Sequence, residues 1–131
     1  MNNNPIGVFD SGIGGLTVVK EIIKRLPNER IIYLGDTARV PYGTRGKEII
    51  KKFALEMTDF LLKKKVKLLV VACNTISAIC LNEIKKISPV PVLGVIDGAA
   101  LEAAKITKSC VIGVIGTQAT ISSQSYEKAI K

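Results

Sequence analysis

Lys67-Leu68-Leu69-Val70-Val71-Ala72-Cys73-Asn74-Thr75-Ile76-Ser77 is the stretch that decides the fold. Residues 68–72 form a short unbroken apolar run, the pattern of a strand buried on both faces of a parallel sheet. A helical pattern starts straight after it, so the chain turns from strand to helix at Cys73. Ligands of such sheets bind outside the carboxyl ends of the strands. A thiol placed there faces the first turn of a helix, where backbone N–H groups and the helix dipole favour a thiolate. The position therefore predicts a reactive cysteine with a lowered pKa.

Working outward, the same alternation runs along the whole chain. Residues 6–9 read as a first strand, followed by a helix whose apolar face is Leu16, Val18, Val19, Ile22, Ile23 and Leu26, stopped by Pro27. Residues 31–34 read as a second strand, 36–44 as a loop, and Ile49, Ile50, Phe53, Met57, Phe60 and Leu61 as one side of a helix. After the strand at 68–72 come a helix over 76–87, a strand over 90–95 and a short helix over 98–106. Pro89 and Pro91 put the 90–95 strand at a start or an edge. A fifth strand is predicted over 111–115 and a last helix over 121–130. Repeated βα units give an α/β fold: a parallel sheet with helices on both faces, Rossmann-like or flavodoxin-like, joined by right-handed crossovers. An order 2-1-3 for the first three strands would bring the ends of strands one and three together.

Composition narrows the function classes. The chain has 131 residues and is 47% hydrophobic, in short runs separated by charges. No run approaches the ~20 apolar residues of a membrane span, and the first residues lack the basic-then-apolar order of a signal peptide. A soluble cytoplasmic protein is expected. The net charge is +8 with no histidine, and aromatics make up only 5%, so a nucleic-acid platform has little to stack on. The charge reads as a lysine-rich solvated surface whose field would also gather a small anion. Cys73 and Cys80 stand seven positions apart, roughly 10 Å along a helix, beyond the ~7 Å that a disulfide spans. Cys110 reads as a small apolar residue ahead of a buried strand. With no histidine and no CxxC, zinc is not expected.

Polar residues follow each strand: Asp10-Ser11, Asp36-Thr37, Cys73-Asn74-Thr75, Asp97 and Thr117. Each taken alone is equally a helix N-cap; five such ends on one rim, one with a thiol, point to a site. The first loop, with Gly12 and Gly14, has part of a dinucleotide fingerprint, and Asp36 sits where a ribose-binding acid would. Against that, Thr17 replaces the third glycine and Asp10 puts a negative charge beside the supposed pyrophosphate. Backbone N–H groups there suit a small carboxylate as well.

Four segments together resemble the glutamate racemase family, of the aspartate/glutamate racemase superfamily. They are Gly7-Val8-Phe9-Asp10-Ser11-Gly12-Ile13-Gly14-Gly15-Leu16-Thr17, then Asp36-Thr37-Ala38-Arg39-Val40-Pro41-Tyr42-Gly43, then Ala72-Cys73-Asn74-Thr75, and finally Gly113-Val114-Ile115-Gly116-Thr117. The resemblance implies a cofactor-independent racemase that supplies D-glutamate for peptidoglycan. In that family two cysteines flank the substrate α-carbon; one thiolate removes the α-proton and the opposite thiol protonates the other face. The matching residues are Cys73 as one acid/base and Asp10 as its supporting carboxylate and a substrate contact. Ser11, Tyr42, Gly43, Asn74 and Thr75 match further substrate contacts, joined by Thr117 and Thr120.

Those roles make chemical sense. An α-proton is a weak acid, so the base must be in contact and the developing charge must be met by fixed donors. A thiol near its pKa suits proton transfer around neutrality. Asp10 would raise the thiol pKa as a carboxylate or draw the proton away as an acceptor, and both options stand at this point.

The chain also departs from the family pattern. Family members run to roughly twice this length, as two ordinary domains. Their second half brings the opposing cysteine, a threonine–histidine pair and an acidic residue. By that pattern residues 1–97 form a first α/β domain with half the active site, and residues 98–131 begin a second, incomplete one. An N-terminal segment inactive alone is therefore expected, with apolar surface uncovered where missing elements would pack. Its expected partners are glutamate and either a second copy or a complementary C-terminal half. Two other possibilities are a non-catalytic glutamate-binding or interaction module, and an aspartate racemase of the same superfamily.

Overall fold

The computed structural model of the chain describes residues 3–131. Its sheet has strands β1 (Ile6–Asp10), β2 (Ile31–Gly35), β3 (Leu68–Val71) and β4 (Val92–Gly94), all parallel, in the order β2-β1-β3-β4. The 2-1-3 expectation holds. Val8 faces Tyr33 on one side and Val70 on the other, and this register ends β1 and β3 at the same level.

Side chains alternate across the sheet with a period of two. Ile6, Val8, Val70 and Ala72 point to one face and pack on Val18, Val19 and Ile22 of α1 (Leu16–Arg25). Phe9, Leu69 and Val71 point to the other. They meet Ile50, Ala54, Met57 and Leu61 of α2 (Lys47–Lys63), and Ile76, Cys80 and Ile84 of α3 (Asn74–Ile87). Burying one such leucine or isoleucine contributes about 1.5–3 kcal/mol, so the spacing read from the sequence is what holds helices to both faces. Ser77 ties the layers: its hydroxyl donates to the Val71 carbonyl (3.1 Å) and accepts the Val95 N–H (3.5 Å).

The remainder is α4 (Ile96–Ile106), α5 (Gln118–Ser122) and α6 (Ser125–Ile130). Three expectations need correction here. Residues 111–115 form no strand: a β-prone run becomes one only by pairing with a neighbour, and no described strand pairs with it. Val111 and Ile115 are 76% and 99% exposed. Cys110 is accordingly not a core residue; it is exposed, with a positive φ of 57°. The expected last helix is two short ones, because the chain breaks at Gln124, whose φ is 55°. No helix among the described residues is long and apolar enough to cross a membrane.

Candidate active site

The carboxyl ends of β1 and β3 bring the first candidate residues together. Asp10 ends β1 and is buried. Its Oδ2 accepts the N–H of Gly15 (3.0 Å) and of Gly12 (3.2 Å). The carboxylate thus fills the glycine loop at the start of α1, where a dinucleotide phosphate would have to sit. Asp36 is likewise unavailable as a ribose acid: its Oδ2 accepts the Tyr42 hydroxyl and the Arg39 Nε (2.5 Å). These four bonds, two on each carboxylate, remove both anchors of the dinucleotide alternative.

Cys73 is the N-cap of α3 and is buried. Its Sγ lies 3.4 Å from the Ser11 hydroxyl, bridging the two strand ends. Burial pushes the thiol pKa up, and the negative charge of Asp10 adds to this; the Ser11 hydroxyl and the backbone N–H groups of Ile76 and Ser11 pull the other way without prevailing. The lowered pKa expected from the helix start is therefore reversed, because desolvation outweighs the donors. The Asp10 charge raises the thiol pKa by repulsion, while its Oδ2 accepts two N–H groups of the loop.

Three hydroxyls gather at the start of α3. Thr75 Oγ1 lies 2.9 Å from Thr117 Oγ1 and 3.5 Å from Thr120 Oγ1, and the last two are 3.0 Å apart. Thr117 earns its place without a fifth strand: it caps α5, its Oγ1 accepting the Thr120 N–H. Gly43 closes this group, since its carbonyl accepts the Ala119 N–H (3.3 Å) and a Cβ there would run into Thr117. Asn74 is exposed, and its Oδ1 accepts the Tyr126 hydroxyl (2.5 Å). Tyr42 is packed in the core with its hydroxyl on Asp36, so any contact it makes with a ligand falls to its backbone. Asp97 stands apart, exposed in the first turn of α4 on a cavity of about 290 Å³ with Asn82, Glu83 and Lys128.

Sequence reasoning missed Tyr33, whose hydroxyl donates to the Gly12 carbonyl (2.7 Å) and whose pKa is raised by burial and by Asp10 and Cys73. The β1–β2 register sets Tyr33 beside Val8, two residues from Asp10, and that register belongs to the folded sheet rather than to the local sequence pattern. Among the described residues no three potential metal ligands cluster.

Comparison with known proteins identifies the family. The Asp/Glu/Hydantoin racemase family model matches residues 6–131. A glutamate racemase of Enterococcus faecalis is 61% identical over 130 residues, covering 99% of this chain and 48% of that protein. A crystal structure of a glutamate racemase isoform from Bacillus anthracis superposes with a TM-score of 0.94 at 51% identity, covering 97% of this chain and 48% of the other. The Francisella tularensis glutamate racemase, solved with D-glutamate, gives 0.89 at 46% identity, covering 99% and 49%. The chain spans about half the length of the relatives it matches. A rim built on a buried cysteine, and a family match that runs from β1 to the last residue, lead to one conclusion: the chain belongs to the Asp/Glu/Hydantoin racemase family.

Proposed function

We propose that this chain supplies one acid/base and much of the substrate rim for cofactor-independent interconversion of L- and D-glutamate, the D-isomer serving peptidoglycan synthesis in the cytoplasm. The observation that carries this reading is Cys73 beside Ser11, with Thr75, Thr117 and Thr120 alongside. Ser11, Asn74, Thr75 and Thr117 offer donors to the substrate carboxylates, with Thr120, Asp10 and the Tyr42–Gly43 backbone completing the contacts. Cys73 exchanges a proton with the α-carbon. A thiol with a raised pKa is set to give a proton, and once ionised it is the stronger base.

Racemisation needs a second acid/base on the opposite face of the α-carbon. Cys80 lies on α3 with its thiol buried in the core, and Cys110 is exposed. The second group therefore comes from outside these 131 residues or from another copy, and the same proposal divides the chain at residue 97. The test is chiral chromatography of L-glutamate incubated with the chain, alongside NMR of α-proton exchange in D2O. No L-to-D conversion is expected, with slow one-sided exchange that Cys73→Ser abolishes. Full conversion by the monomeric chain would overturn the two-thiol scheme. Binding of glutamate without exchange would favour a non-catalytic module, and tighter binding of aspartate would move the substrate within the family.

A further inference from the structure

The loop between β2 and α2 is fastened by a series of contacts that begins at Asp36. Asp36 directly follows β2 and is buried. Its backbone N–H donates to the Asp10 carbonyl (3.1 Å), which fixes it to the end of β1. Its carboxylate accepts the hydroxyl of Tyr42, six residues on, and the Nε of Arg39. Arg39 is held in turn by Glu56 (2.5 Å) and lies 3.9 Å over the Phe53 ring, both on α2. The Arg45 Nε donates to the carbonyls of Arg39 and Pro41 (3.2 Å each), which closes the loop on itself. Past Tyr42, the Gly43 carbonyl holds the Ala119 N–H and the Gly43 backbone lies against Thr117.

From this chain of contacts we infer that Asp36 is a positioning residue: it sets the Tyr42–Gly43 turn against the Asp10–Ser11 rim and thereby places Thr117 and Thr120 over Thr75. This rests on the reading of that rim as the substrate site. The buried carboxylate works through two neighbours and touches no reacting atom. Burial and Asp36 together hold the Tyr42 phenol protonated, so the Tyr42–Asp36 bond has a fixed donor and a fixed acceptor.

The test is residue-resolved amide hydrogen exchange of the chain, with glutamate titration as a separate readout. Tyr42→Phe keeps the buried ring and deletes the bond; Asp36→Ala deletes both bonds; Asp36→Asn keeps an acceptor for Tyr42. Exchange at Arg45 and Ala119, whose N–H groups donate to the Tyr42 and Gly43 carbonyls, should accelerate about tenfold in Tyr42→Phe and Asp36→Ala, with Val8 and Val70 within about twofold of the parent, and Asp36→Asn should recover much of the loss. Unchanged rates at Arg45 and Ala119, or a uniform acceleration at all four, would overturn the inference. Should Asp36→Ala fail to fold, Tyr42→Phe decides by the same criteria. Absence of glutamate binding by the parent chain would count against the substrate reading, and the exchange pattern would still decide the role of Asp36.

Discussion

The Cys73 thiol and the Ser11 hydroxyl lie 3.4 Å apart, although 62 positions separate them in the chain. One comes from the end of β3 and the other from the end of β1, so this contact depends on the two strands being neighbours in register. It sets the thiol among opposing influences. Burial and Asp10 favour the protonated form; Ser11 and the nearby N–H groups favour the thiolate.

That balance predicts opposite effects for two conservative changes. In a Cys110→Ser background, the pH profile of Cys73 alkylation by iodoacetamide should have its midpoint above that of an ordinary thiol. Asp10→Asn retains an acceptor for the glycine loop and removes the repulsion, so the midpoint should fall. Ser11→Ala removes a hydroxyl that favours the thiolate, so the midpoint should rise. Shifts of about half a unit to one unit are expected. Equal midpoints in all three proteins would show that neither group acts on the thiol.

Cys80 predicts an alkaline loss of stability. Burial, then Glu83, pushes its thiol up to about 12, from an ordinary value of 9.0. The folded chain holds this proton more tightly than the unfolded one, so the contribution is full below the unfolded pKa. It is lost as pH rises from about 9 toward about 12, by no more than about 4 kcal/mol. Urea unfolding across that window should show stability falling with pH, and Cys80→Ala should flatten the slope while costing some packing.

Gly43→Ala tests the closeness of the loop to Thr117. The added methyl meets the Thr117 side chain at its Cβ and Cγ2, attached to the backbone that caps α5. A penalty of about 1–3 kcal/mol is expected, seen as NMR shift changes over residues 117–120 and weaker ligand binding. Gly46→Ala, with open space around it, should leave those signals in place.

Tyr126→Phe removes the hydroxyl that Asn74 accepts. The bond is exposed, so its loss should cost about 0.5–1.5 kcal/mol. The change should appear locally, in the Asn74 side-chain amide resonances and in faster exchange of α6, with the β1 and β3 amides unchanged.

Much of the fold was legible because the apolar runs are short and alternate with helical faces. Residues 6–9, 31–34 and 68–71 each lie on a strand, and the sheet adopts the supposed 2-1-3 order, which the parallel pattern allows without dictating. Val111-Ile112-Gly113-Val114-Ile115 has the same local character, yet a run specifies a strand only together with its partner, and local pattern carries no information about the partner. Thr117 was found for a different reason than its surroundings warranted: it is an N-cap, not the end of a strand. The Cys73 pKa was misjudged because helix-start geometry can be read from sequence while depth of burial cannot. The Asp36–Tyr42 bond was invisible for a similar reason, since it depends on how the loop folds over α2.

Asp10 gives the glycine loop a consequence of its own. In a nucleotide-binding fold this loop is an open socket, completed when the phosphate arrives. Here the chain carries its plug as a side chain, inserted two and five residues from the amides it satisfies. The start of α1 is therefore already in its finished shape before any ligand is met, and Ser11, on the same turn, is presented to Cys73 without waiting for one.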